Sequence, residues 1–162
     1  MFQARTHAEI ESLRAGISRV GGLSDSLVKF GPFGIGLDGI LAWVPVVGTL
    51  YSGAAALTMV AMGWRARVPL STLIGATSIL VMRTTVAAGG EALLLPVMPI
   101  GGAAEFMVDL FRAHKWAADM LVKSIDNAVY VEGRRHPSNP EFADARERLR
   151  SGEDRRRIVA LG

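Results

Sequence analysis

Two carboxylates stand alone in an apolar stretch, and they are the residues of this sequence best placed to do chemistry. Asp38 is the only charge between Lys29 and Arg65, and Glu91 the only one between Arg83 and Glu105. An ionisable group held in hydrocarbon is costly and is by default a candidate for proton or cation handling. Structural roles compete with that. Asp38 can cap a helical leg that starts at Gly39-Ile40, or sit at an interface near Lys29. Glu91, after Gly89-Gly90, can open a helix in the same way. A buried ion pair with Arg65, Arg67 or Arg83 is a third role. Capping or interface positioning is the expectation; Glu105 and Asp109 are the remaining acids of the stretch.

Other chemistry finds few residues. His7, His114 and His136 lack ligand-like spacing, and the chain has no Cys to join them, so no metal site is expected. The absence of Cys also removes disulfides, thiolate nucleophiles and palmitoyl anchors. Gly34-Ile35-Gly36-Leu37-Asp38-Gly39 matches the dinucleotide-binding string, but it follows no convincing strand and has no acid about 20 residues on for a ribose. Its glycines read as a tight entry turn or a close helix contact. There is no nucleophile elbow and no phosphate-loop lysine. No cofactor is expected, and an enzyme is the least supported class. Acids alternate with the arginines of the tail, so nucleic acid is not an expected partner.

The elements that must position these residues follow from where the charges lie. The 162 residues carry 18 Lys/Arg and 15 Asp/Glu, a net of +3, with mean hydropathy +0.30. Charged residues make up 20%, below the roughly 25% of ordinary soluble domains. Residues 30–111 hold only seven charges: Arg65, Arg67, Arg83 and the four acids named above. Three parts are expected: an amphipathic helix and linker over 1–29, a helical hydrophobic domain over 30–131, and a charged tail over 132–162.

In the first part Ile10, Leu13, Ile17 and Val20 share a helical face, Thr6 and Glu9 have capping-box spacing, and Gly21-Gly22 stops the helix. From Gly39 to Trp64 there are 26 consecutive uncharged residues, enough for a membrane span. Pro45 and Gly48 break this run, leaving a short leg near 34–44 and a longer one from about 47 to 64. Trp64 beside Arg65-Ala66-Arg67 reads as a polar boundary. Pro69 opens the next helix, which runs to Met82. Pro96, Pro99 and Gly102 break the apolar stretch 84–111 in the same style, 54 residues after the first break. Gly48, Ser52 and Ala56, and then Ser71 with Gly75, form small-residue ladders suited to close helix packing.

A final long helix has Met107, Leu110, Phe111, His114, Ala118, Leu121, Ile125 and Val129 on one face. Its charges lie mostly on the other, with Lys115 and Asp119 as an i, i+4 pair. In the tail, Asn139 caps and Pro140 opens a charged helix over 140–151, ended by Gly152.

The run Gly36-Leu37-Asp38-Gly39-Ile40-Leu41-Ala42-Trp43-Val44-Pro45-Val46-Val47-Gly48 resembles the signature of a family of small, mostly bacterial helical membrane proteins catalogued as a domain of unknown function. Its members carry G-L-D-x-(apolar)-x-x-(I/V)-P-x-(V/I)-G-D, a second Pro-x-x-Gly-Asp about 50 residues later, and a closing F-(K/R)-A-N-like string. The likeness extends over roughly residues 25–120. Thr49 and Ala103 stand where the family has Asp, Glu91 is one residue out of step, and His114 replaces the closing Asn after an apparent insertion. The resemblance implies a small helical inner-membrane protein and supplies no activity.

The expectation is an all-α, membrane-associated protein with two Pro/Gly-broken hydrophobic hairpins. With the basic residues inside, both hairpins enter and leave on the cytoplasmic side of the bacterial inner membrane. The expected role is a non-enzymatic accessory or interaction subunit, with membrane lipid and other subunits or a second copy as partners. One alternative is a small transporter or ion-conducting protein that uses Asp38 and Glu91. The other is a soluble helical protein that binds lipid or a partner.

Overall fold

Thr6 starts the first helix through its hydroxyl. In the computed structural model of the chain, which describes residues 3–23, 28–30, 33–35, 45–85 and 113–162, α1 spans His7–Leu23. The Thr6 hydroxyl accepts the Glu9 N–H at 3.2 Å, and the Glu9 carboxylate accepts the Arg5 N–H at 2.6 Å. This is a capping box whose return arm reaches one residue further back. Ile10, Leu13 and Ile17 are buried, as their spacing requires.

Gly21-Gly22 does not stop α1, which continues to Leu23. Gly21 instead sits hard against α4 (Ala113–Asp126), where a Cβ would collide with that of Ala118. At the other end of the same pair, Arg14 and Asp126 meet at 2.6 Å. Position 14 thus faces 126 and position 21 faces 118, so α1 and α4 run antiparallel.

α2 spans Pro45–Arg65 and α3 spans Leu70–Thr85. Pro45 is the first residue of α2, where its missing N–H leaves no helical bond unmade. The expected break therefore ends at Pro45, and Gly48 lies inside the helix rather than in the break. A four-residue connection, Ala66–Pro69, returns the chain alongside α2. α1 packs on α2 and α4, and α3 packs on the same two helices. The four helices close a bundle around Ile17, Met59 and Leu121, all fully buried. Gly63 lies near its centre, where a Cβ would come within 3.0 Å of Leu73 and 3.1 Å of Leu121.

The fold is mostly helical, but the strands among the described residues were not expected. β1 (Val28–Phe30) and β2 (Phe33–Ile35) form an antiparallel pair with Phe30 opposite Phe33. This corrects the helical leg near 34–44 at its start, because Gly34 and Ile35 are strand residues. The start of the Gly-x-Gly string, Gly34-Ile35, thus lies in a strand where none was expected. The rest of that leg lies outside the described residues. The last bundle helix ends at Asp126, short of the expected reach to Val129, and Ala128–Val131 forms β3. Ala113, His114, Ala117, Ala118, Leu121 and Ile125 form its buried face, and Lys115 pairs with Asp119 at 3.2 Å on the outside.

The tail helix α5 spans Pro140–Ser151, capped by the Asn139 side chain and closed by Gly152 at φ 81°. β4 (Arg157–Ala160) then pairs in parallel with β3. The next residue, Leu161, is fully buried in the same core as Ala4, Ile10 and Ile17. One core thus draws side chains from both ends of the chain.

The two adjacent glycines of α1 separate packing from helix propensity. Gly21→Ala forces α1 and α4 apart and is expected to cost about 1–3 kcal/mol. A Cβ at Gly22 meets nothing within 4 Å, so Gly22→Ala is expected to be neutral or to stabilise by up to about 1 kcal/mol. Urea unfolding of the two variants checks the opposite signs.

Candidate functional surface

The outer sides of α2 and α3 carry no charge over a long distance. No Asp, Glu, Lys or Arg occurs from Gly53 to Trp64 or from Leu70 to Met82. Each helix already gives one apolar side to the core, through Met59 on α2 and Leu73, Ala76 and Leu80 on α3. The opposite side is apolar as well. Leu57 is 75% exposed, Leu70 64% and Trp64 54%, and Ile74, Val81 and Met82 are also exposed. Between the two helices runs an open groove of about 700 Å³, lined from Leu57 and Trp64 on α2 to Leu70, Ile74 and Val81 on α3. Helices apolar on both sides are normally covered on both, and a contiguous exposed apolar patch marks an interaction site.

The α2–α3 connection fixes one end of this face. Arg67 takes a left-handed backbone, φ 56°, a conformation that costs a non-glycine residue about 1–2 kcal/mol. Its guanidinium reaches three carbonyls: Nη1 donates to Ala160 at 2.7 Å, and Nη2 to Leu161 at 3.0 Å and Ala4 at 3.5 Å. The Ala4 N–H donates to the Arg65 carbonyl at 2.9 Å. The Tyr130 hydroxyl donates to the Ala66 carbonyl at 2.8 Å, and Arg157 Nη1 to the Arg67 carbonyl at 3.1 Å. Burial pushes the Tyr130 phenol up, against the pull of the Arg157 cation. Among the described residues neither Arg67 nor Arg157 meets a carboxylate, and Arg67 Nε and Arg157 Nη2 are buried without an acceptor.

A polar cluster surrounds the start of α1. The His7 N–H donates to Glu132 at 2.7 Å, and His7 Nε2 lies 3.5 Å from Glu141. The Glu132 N–H donates to Glu141 at 2.9 Å. That backbone bond, and after it the His7 contact, hold the Glu141 carboxyl below its ordinary range. Close by, His136 Nδ1 and the Ser138 hydroxyl are 2.6 Å apart. This is a local contact between residues two apart in one turn. The same Nδ1 accepts the Ser138 N–H at 3.3 Å, both residues are exposed, and no described residue orients the ring from its other nitrogen. His114 is a buried residue of the inner face of α4. No three His, Asp or Glu side chains gather as metal ligands among the described residues.

Asp38, Glu91, Glu105, Asp109, Pro96, Pro99 and Gly102 lie outside the described residues. Of the small-residue ladder, Ala56 packs against the core and Gly75 faces Met120 of α4. Ser71 is exposed near the start of α3, and Gly48 and Ser52 lie within α2. The close contacts at Gly16, Gly21 and Gly63 fall outside that ladder. Arg67 reads in sequence as part of a polar boundary. Its grip on carbonyls 93 and 94 residues away has no local signature. No protein-family model matches the chain, and no curated protein or solved structure does.

Among the described residues three surface carboxylates contribute to the acid stability. Asp126 is held low by its hydrogen bond to Arg14, Glu141 by the Glu132 N–H, and Asp154 at about 2 by Arg156. Depressed folded-state values mean that the stabilisation is present above the unfolded values near pH 4 and is lost as pH falls towards 2. The stability of the chain is expected to decline over that window. Asp126→Asn is expected to flatten part of the decline, and 1 M NaCl to weaken it further; denaturant titrations at stepped pH read both effects.

Proposed function

We propose that this chain is a non-enzymatic accessory protein of the bacterial inner membrane that works through its α2–α3 face. The observation that carries this reading is the pair of uncharged outer faces, α2 from Leu57 to Trp64 and α3 from Leu70 to Met82, with their large apolar side chains in solvent. Among the described residues no helix is long and apolar enough to cross a membrane. The attachment proposed is therefore by a face rather than by a spanning α2 or α3. Packing favours the same picture. α1 and α4 carry their charges on the far side of the bundle as the pairs Arg14–Asp126 and Lys115–Asp119, leaving one apolar side for the bilayer or a membrane-bound subunit.

The resemblance of Gly36–Gly48 to the small helical membrane family belongs to the same proposal. A protein that binds a single lipid or apolar partner away from the membrane is the second reading, favoured by the groove between α2 and α3. Ion handling would depend on Asp38 and Glu91 and draws no support from the described residues.

Fractionation of the expressed full chain tests the reading. The protein is expected to stay with the membranes through a high-salt wash and to need detergent for release. Ile74→Ser/Val81→Ser is expected to move most of it to the soluble fraction without loss of helix by circular dichroism. Wild-type protein recovered free of membranes, or stripped by salt alone, contradicts the membrane reading and leaves the second.

A further inference from the structure

Exposed apolar side chains are not spread evenly over the bundle. Among the described residues nine large ones face solvent, and eight of them lie on three helices: two on α2, four on α3 and two, Trp116 and Met120, on α4. None of them is on α1. α1 and α3 each pack on α2 and α4, so they occupy opposite corners of the bundle, and the eight gather at the α3 corner. Ile74 marks its crest. On one side Ile74 lines the groove against α2. On the other, its neighbour Gly75 takes the Met120 side chain of α4, whose sulfur would stand 3.4 Å from a Cβ there. Trp116 is one turn from Met120 on the same face of α4. The uncharged length from Leu70 to Met82 runs along the crest. Trp64 adjoins the turn on the α2 flank. Trp116, on the α4 flank, lies towards the far end, because α1 starts at the turn and runs antiparallel to α4. Indole rings favour the headgroup level of a bilayer.

From this arrangement we infer that the protein lies on a bilayer with α3 parallel to the surface and deepest in it, flanked at the headgroup level by Trp64 on α2 and Trp116 on α4. The inference rests on the membrane reading above and adds to it an orientation and a third helix, α4. Shape favours a fluid occupant over a second copy. A crest about 24 Å long and about 10 Å wide offers a rigid partner roughly 240 Å², where a stable protein interface takes about 800 Å² from each side. The two flanks turn away from each other at the corner, so a rigid surface that covers one misses the other. Lipid wets both, and interfacial helices bury their apolar side about 5–10 Å deep. The Lys115–Asp119 pair, exposed on α4 beside Trp116, marks where the immersed surface stops.

Two single-tryptophan chains test this on vesicles of phosphatidylcholine and phosphatidylglycerol, with binding read separately by co-sedimentation. In the first, Trp43→Phe/Trp64→Phe leaves Trp116 as the reporter. In the second, Trp43→Phe/Trp64→Phe/Trp116→Phe is combined with Ile74→Trp. Trp116 is expected to be quenched more by lipid brominated near the headgroup than by lipid brominated near the chain end, and the indole at position 74 in the reverse order. In the otherwise unaltered chain, Trp116→Ser is expected to weaken vesicle binding about tenfold. Leu149→Ser, on α5 and away from the corner, is expected to leave it unchanged. Vesicle binding with Trp116 unquenched, with position 74 no deeper than Trp116, or with equal losses in Trp116→Ser and Leu149→Ser overturns the orientation and leaves the α2–α3 face standing. No binding to the vesicles, or a dimer in sedimentation equilibrium that Ile74→Ser dissociates, overturns the membrane reading with it.

Discussion

One guanidinium joins the ends of this chain to its middle. Arg67 donates to the carbonyls of Ala160, Leu161 and Ala4 from a turn that also accepts hydrogen bonds from Ala4, Tyr130 and Arg157. Hydrogen bonds from a charged donor are each worth about 1.5–3 kcal/mol. Two good ones therefore outweigh the left-handed backbone, at about 1–2 kcal/mol. Arginine is the side chain able to do this, because its planar fork serves several carbonyls at once and keeps its charge. The result is a turn that cannot slide. α2 and α3 leave it as fixed neighbours, with β4 and the residues before α1 bound to the same point.

The exposed apolar surface follows from that fixed turn. Gly63 lets α2 sit close to α3 and α4, so both helices bury one side fully and hold their second sides side by side. No charge occurs on either helix from Gly53 to Trp64 or from Leu70 to Met82. The acids and bases that make α1 and α4 compatible with water lie across the bundle.

Much of the fold is legible where the signal is local. Thr6 with Glu9, the buried stripe of α4, and Asn139-Pro140 with Gly152 all read correctly, because caps, prolines and 3.6-residue periods act within a few residues. The strands do not read. Segments of three and four residues such as Phe33–Ile35 and Ala128–Val131 are too short for a period of two, and β3 exists through its pairing with β4. Gly21 reads as a stop because glycine is poor in helices; its purpose is set by Ala118, almost a hundred residues away. The candidate surface is legible in part. An uncharged run is evident from Gly39 to Trp64, but length alone cannot distinguish a helix that crosses lipid from one that packs a bundle on one side and is bare on the other. Arg67 is invisible as a knot, since its partners are backbone atoms and carry no residue signature.

The central claim, that the α2–α3 face is the membrane-contacting surface, is tested most directly at Trp64. In a chain with Trp43→Phe and Trp116→Phe, Trp64 is the only indole, and its emission can be followed as lipid vesicles are added. The account predicts a shift to shorter wavelength and quenching by lipids brominated on their acyl chains. Vesicle binding with Trp64 emission unchanged and unquenched would place the contact elsewhere on the molecule and contradict it.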